Sequence, residues 1–103
     1  MWAQLIKMQL KPGKDADAAE LNRQFRAAEQ SGSGLVRSIM MHDQKDPSQV
    51  YGLVVFESEE KARAREQDPQ RQERLQPARD IMQDILAGPP EFVDLIIVAE
   101  HAG

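Results

Sequence analysis

The stretch FVDLIIVAE, Phe92 to Glu100, decides how this chain is read. A strand that packs one face on a core and shows the other to water alternates apolar and polar residues. Here Val93, Leu95, Ile97 and Ala99 would point one way, and Phe92, Ile96 and Val98 the other, with only Asp94 interrupting. Both faces are apolar, so both call for cover. Three further stretches have strand character. They are Trp2 to Leu10, stopped by Pro12-Gly13; Leu35 to Met41, entered from SGSG at Ser31 to Gly34; and Val50 to Phe56. The last repeats the pattern, with Tyr51, Leu53 and Val55 alternating with Val50, Val54 and Phe56. Between the second and third, HDQKDPS reads as a hairpin loop around Asp46-Pro47.

Two helical regions separate these strands. From Asp15 to Gln30 the residues Ala18, Leu21, Phe25 and Ala28 fall three and four apart, a single apolar stripe. The second region opens at Ser58 as an N-cap, with Glu59 and Glu60 placed where acidic groups suit the helix dipole. Asp68-Pro69 looks like a fresh cap with proline at the first helical position. Leu75, Ala78, Met82 and Ile85 form the second stripe, Pro77 bends or restarts the helix, and Gly88 reads as its terminator.

The order is strand, helix, strand, strand, helix, strand. This is the α+β, ferredoxin-like βαββαβ arrangement, a four-stranded antiparallel sheet with both helices on one face. The other face is then open in a monomer. Each large apolar side chain left there forgoes about 1.5–3 kcal/mol of burial, a sizeable part of a small domain's total stability of about 5–15 kcal/mol. An open apolar face of that kind marks an interaction surface. The expectation is a homodimer whose two sheets pack face to face, since His101-Ala102-Gly103 is too short to cover the face.

A chain of 103 residues makes a single domain, 1–103. Hydrophobic residues at 41% and charged residues at 29% are ordinary for a globular protein. The net charge of −4, with bases and acids interleaved, argues against a nucleic-acid footprint. No apolar run approaches the roughly 20 residues of a membrane span, and the N-terminus lacks the regions of a signal peptide. The expected location is cytoplasmic, with no membrane partner. Without cysteine there is no disulfide, zinc ribbon or thiol nucleophile.

The segments LKPGK (10–14), SGSGLVRSIMMHDQKDP (31–47) and VYGLVVFESEEKARAREQDP (50–69) resemble the dimeric α/β-barrel superfamily that includes the antibiotic biosynthesis monooxygenases. In that family Pro-Gly follows strand one, glycine precedes strand two, and an aromatic residue ends strand three before a Ser-x-Glu helix start. The resemblance runs through nearly the whole chain and implies a dimeric α/β barrel holding its ligand between helices and sheet. Some members oxidise phenolic polyketides with oxygen and no cofactor, some degrade haem, and many have no established activity. The Asn, Trp and His of the haem-degrading branch fall near Ile6, Arg65 and Arg74, so none is carried over. Phe56 also stands where a tryptophan is expected. What the resemblance implies is a cofactor-independent monooxygenase-like protein acting on or binding a small aromatic or polyketide-type molecule. The alternative is a non-catalytic small-molecule-binding or purely dimer-forming protein of the same fold.

No residue stands out as catalytic. His42 follows strand two beside Asp43, but neighbours on a strand point to opposite faces, so the pair reads as a solvated loop. His101 lies at the chain end, and no metal site is expected. Arg37 is taken to share a face with Leu35, Ile39 and Met41. A guanidinium on an apolar surface anchors an anion, or pairs at an interface. Tyr51 could donate to a bound carbonyl or rim the dimer interface. Trp2 and Gln4 share the face of Ile6, which the resemblance places toward the helices, near the mouth of a pocket. The ligand-binding candidates are thus Trp2, Gln4, Arg37, His42 and Tyr51. Met8, Met40, Met41 and Met82 read as adaptable core. GSG precedes a strand, the reverse of a dinucleotide fingerprint. Glu59 to Arg74 reads as a solvated helix face carrying one Glu59–Arg63 pair.

Overall fold

In the computed structural model, which describes all 103 residues, four antiparallel strands form one sheet in the order β2-β3-β1-β4. They are β1 (Trp2–Gln9), β2 (Leu35–His42), β3 (Gln49–Phe56) and β4 (Glu91–Ile96). The helices are α1 (Ala18–Ala27), α2 (Glu59–Glu66), α3 (Pro69–Arg74) and α4 (Gln76–Ile85). The expected βαββαβ order stands, with the second helical region in three pieces.

The fourth strand is shorter than its apolar run. Its last rung pairs Ile96 with Trp2, and β1 has no earlier residue in its ladder to extend the pairing. Ile97 N–H still reaches the carbonyl of Met1 at 3.2 Å, but Val98 to Glu100 carry no strand partner. Val98 is 93% exposed. The second strand runs one residue longer than expected and takes in His42.

Register assigns the faces. On one face lie Trp2, Gln4, Ile6 and Met8 of β1 and Val50, Gly52, Val54 and Phe56 of β3, directly opposite one another. Met8 and Val50 pack with Leu21 and Ala28 from α1 and its end and with Ala78 and Ile85 of α4 in the main core cluster. Trp2, Phe56 and Ala62 of α2 form a smaller one. Both predicted helix stripes therefore do meet the sheet. The opposite face carries a row of Val93, Leu5, Leu53 and Ile39 across all four strands. No element of the chain lies over it.

Helix boundaries follow capping chemistry. Ser58 caps α2 by accepting from the Lys61 amide at 3.2 Å, and Asp68 caps α3 by accepting from the Gln70 amide at 3.0 Å. Pro77 sits in the first turn of α4, where its missing N–H costs nothing, so the helix restarts there. Gly88 does not terminate α4. Leu86 turns extended after Ile85 and bridges Leu10, while the Ala87 amide donates to the Gln9 carbonyl. The end of β1 thus captures the chain before the glycine is reached. At the other end of the layer, Asp15–Asp17 form a 3-10 turn rather than the start of α1.

Candidate functional site

The helices stand away from part of the sheet and leave a cavity of about 1090 Å³. Its floor is the helix-facing side of the sheet, with Ile6 and Met8 from β1 and Met40 from β2. Phe25 of α1, Leu75 at the junction of α3 and α4, and Met82 of α4 supply apolar walls. Gly52 lies beside Ile6 in the ladder and lines the same floor, where the absence of a side chain deepens it. Phe92 closes one rim and is 56% exposed, on the edge strand of the sheet.

The mouth is polar. Gln4 Nε2 donates to Asp94 Oδ1 at 3.0 Å, and Arg63 Nη2 donates to Asp94 Oδ2 at 2.8 Å. Arg63 lies over the Trp2 ring at 5.0 Å and also reaches Glu59 at 3.1 Å. The hydrogen bonds from Gln4 and Arg63 hold Asp94 below the ordinary carboxylate range. Asp94 and then Glu59 raise Arg63 above its ordinary value. The residue that interrupts the apolar run is therefore the clasp between β4, β1 and α2.

Deeper in, Arg65 Nε donates to Glu29 Oε2 at 3.0 Å, and its guanidinium lies 5.0 Å over the Phe56 ring. The two side chains are only 13% and 21% exposed. Burial pushes Glu29 up, yet the hydrogen bonds from Arg65 and Ser33 outweigh it and keep this carboxyl below its ordinary value. Arg71, also on the wall, has a buried Nε with no hydrogen-bond partner. Burial, reinforced by the charge of Arg65, brings its pKa down to about 10.

A general base at neutral pH needs a pKa near neutrality and a free lone pair. Three carboxylates line the cavity, Glu29, Glu66 and Asp94, and each is bonded to an arginine. Five arginines line the same walls, so the cavity is positive on balance. That field favours a ligand in its anionic form and lowers the pKa of a bound phenol or enol. The side chains group no three His, Asp or Glu residues able to hold a metal ion.

Of the candidates read from sequence, Gln4 lines the cavity, and Trp2 lies buried beneath Arg63 at its edge. Arg37 and Tyr51 do not. Register puts Arg37 opposite Val55, and Tyr51 beside Lys7, on the face turned away from the helices. Arg37 does not share its face with Leu35 either: a bulge between them turns Leu35 toward Phe56 and the helix side. His42 ends β2 opposite Val50 and is exposed, with Nδ1 3.0 Å from the Asp43 carbonyl. The Asp43 carboxylate is turned to the Lys45 and Asp46 amides instead of the imidazole. Met41 is on the open face and 41% exposed, so it leaves the core set.

The Glu59–Arg74 segment is not merely a solvated face. The Glu59–Arg63 pair forms, but Arg63, Arg65 and Arg71 also turn their heads toward the cavity while their stems lie along apolar surface. Helical periodicity marks apolar stripes and overlooks long cations that flank them. The one sequence signal for this site was the isolated Asp94. Ile6 and Arg65, near which the resemblance puts the Asn and Trp of the haem-degrading branch, do line the cavity, but their side chains supply neither amide nor indole.

Neither a scan against protein-family models nor a comparison with curated proteins returns a match. Solved structures do match over nearly the full length. A Nitrosomonas europaea protein provisionally described as an antibiotic biosynthesis monooxygenase superposes with a TM-score of 0.77 at 17% identity, over 96% of this chain and 100% of that one. A Chloroflexus aurantiacus protein described in the same terms gives 0.70 at 23% identity, over 99% and 98%. A variant of SnoaB, a cofactor-independent oxygenase from Streptomyces nogalater, gives 0.76 at 11% identity, over 96% and 94%. The chain thus has the α+β, ferredoxin-like fold of structures described as antibiotic biosynthesis monooxygenases, as the sequence resemblance implied. At these identities the likeness is one of fold.

Proposed function

We propose that this chain takes up a flat, largely apolar molecule of aromatic or polyketide type between its sheet and its helices and oxygenates it without a cofactor. The observation that carries the reading is the cavity of about 1090 Å³ with an apolar floor and an arginine-rich wall. Such a site binds apolar rings and favours the ionised form of an acidic ligand. A ring system with an acidic CH2 flanked by carbonyl or phenol groups meets both demands. Loss of one proton to solvent at the polar mouth gives a carbanion delocalised onto oxygen, which the arginines stabilise. Dioxygen then adds to that carbon, the O–O bond of the resulting peroxide breaks as the second C–H proton leaves, the CH2 becomes C=O, and the expelled hydroxide takes up a proton from solvent to leave as one water. The substrate supplies the electrons. The protein's share is to bind, to lower the acidity barrier and to exclude water. The fold shared with SnoaB supports this choice of chemistry.

A second reading has its own observation. Each cavity carboxylate is tied to an arginine, so a binding protein without turnover accounts for the same walls. In either reading the protein works as a homodimer through the open sheet face, with Arg37 and Tyr51 at the interface and Gln4 as the ligand-orienting amide.

Oxygen uptake with an anthrone-type substrate separates the readings when run beside spectroscopic titration of the same compound. Uptake above the uncatalysed rate supports the oxygenase. A bound, red-shifted ligand without uptake supports the binder. Ile6→Trp, which fills the cavity floor, is expected to abolish both while leaving the fold intact. Absence of both signals from the wild-type protein sinks the two readings together.

A further inference from the structure

Gly52 stands in the middle of β3, where a glycine weakens a strand. A strand glycine commonly marks a bulge, a tight bend or the close approach of another group. The ladder around Gly52 is regular. It pairs with Ile6 of β1 on one side and with Met40 of β2 on the other. The register shift in the β2–β3 ladder lies elsewhere, between Leu35 and Arg37. Positive φ belongs to Gly13, Gly32 and Gly34, and Gly52 is not among them. A Cβ built on Gly52 would meet only the Ile6 side chain, at 3.8 and 3.9 Å, which is ordinary contact. Neither backbone conformation nor packing within the chain therefore calls for glycine here. The missing side chain leaves a notch in the cavity floor.

Register gives the notch a polarity. Residues two apart along a strand share a face, so successive rows of the floor lie about 6.8 Å apart. The row through the notch runs Ile6, Gly52, Met40 and is apolar throughout. The next row runs Gln4, Val54, Ser38 and carries an amide and a hydroxyl. Both rows line the cavity. In the other direction along β3, Val50 is buried in the main core cluster and closes the notch. A flat molecule laid on this floor spans the two rows. Its apolar edge then lies over Gly52, and its oxygen-bearing edge faces Gln4 and Ser38.

We propose that Gly52 sets the ligand specificity of this cavity. Its notch takes a methyl-sized apolar group on a fused aromatic ligand whose oxygens lie along the opposite edge. This specificity presupposes the ligand-binding cavity proposed above. It narrows the occupant from any aromatic molecule to one oxygenated along a single edge.

The test compares 1-naphthol with 4-methyl-1-naphthol, phenols of similar acidity that differ by one methyl opposite the hydroxyl. Fluorescence titration of the wild-type protein is expected to show the methyl compound binding about fourfold tighter, the gain from burying one such group. In Gly52→Ala the new Cβ fills the notch. The preference should then vanish or reverse, while 1-naphthol keeps its affinity within about twofold. An intermolecular NOE from the ligand methyl to the Gly52 Hα protons of the wild type is expected as well, and it needs no substitution. The urea midpoint of Gly52→Ala should equal or exceed the wild-type value, because alanine restricts the unfolded chain more than glycine does. A lowered midpoint would mean that the glycine serves the fold, and would overturn the assignment. Equal binding of the two phenols by the wild type, an unchanged preference in the variant, or an NOE only to residues away from Gly52 would do the same and leave the cavity reading standing. Wild-type protein that binds neither phenol overturns the notch, and the anthrone titration then decides the cavity reading by itself.

Discussion

Glu29 shows how one side chain links stability to the site. Its carboxylate receives Arg65 and Ser33 in a largely buried setting, and it stays ionised against the cost of burial. Its folded-state pKa lies below the ordinary 4.5. The stabilisation is therefore complete above pH 4.5 and is lost as the pH falls through the lower, folded-state value. Glu29→Gln is expected to cost about 1–3 kcal/mol near neutrality, because Arg65 loses a charged partner. The same variant should lose less further stability on acidification than the wild type. Urea midpoints of both proteins at about pH 7 and about pH 3 measure this. Parallel acid sensitivity in the two would show that Glu29 carries none of it. The Asp94–Arg63 clasp is more exposed, and its worth lies in placing Gln4 and Trp2 rather than in net stability.

At the scale of elements, the helix layer is cut by caps rather than by loss of apolar periodicity. Ser58 and Asp68 each begin a helix with a side-chain oxygen, and Pro77 begins the next. These short helices place Arg63, Arg65, Arg71 and Arg79 along one side of the cavity. A single longer helix would distribute them around its axis. Ser58→Ala should lower stability by about 1 kcal/mol, since the Lys61 amide loses its acceptor. Thermal unfolding of the variant reads that loss directly. A shift within error would mean that water replaces the hydroxyl at no cost. The sequence displayed these caps plainly, because capping is a local rule. It did not display the bulge between Leu35 and Arg37, which reverses the face of everything before it. A bulge depends on the partner strand, and β3 lies beyond a loop.

Over the whole molecule, one face of the sheet is covered by helices and the other is bare. The row Val93, Leu5, Leu53 and Ile39 crosses the bare face, flanked by Arg37 at one corner and by Lys7 and Glu91 along the opposite side. A second copy related by a twofold axis fits such a surface, since one apolar patch serves both sides. Native mass spectrometry at micromolar concentration is expected to show a dimer. Leu53→Arg, which sets a charge in the middle of the row, should give a folded monomer. A wild-type monomer under those conditions would remove the dimer from the account and leave the cavity untouched. No helix is long and apolar enough to cross a membrane.

Periodicity, turn residues and caps are properties of neighbours in the chain, and the sequence alone was enough to determine the βαββαβ order, the two core stripes and the doubly apolar strands. Gly32 and Gly34, Pro69 and Pro77 mark their elements without reference to anything distant. Only the tertiary structure decided which face each strand residue occupies, and so that Arg37 and Tyr51 lie away from the cavity while Asp94 closes it. Asp94 meets Gln4 across 90 residues and Arg63 across 31, and Arg65 meets Glu29 across 36. Pairings of that span are fixed by register and packing, which local sequence patterns do not encode.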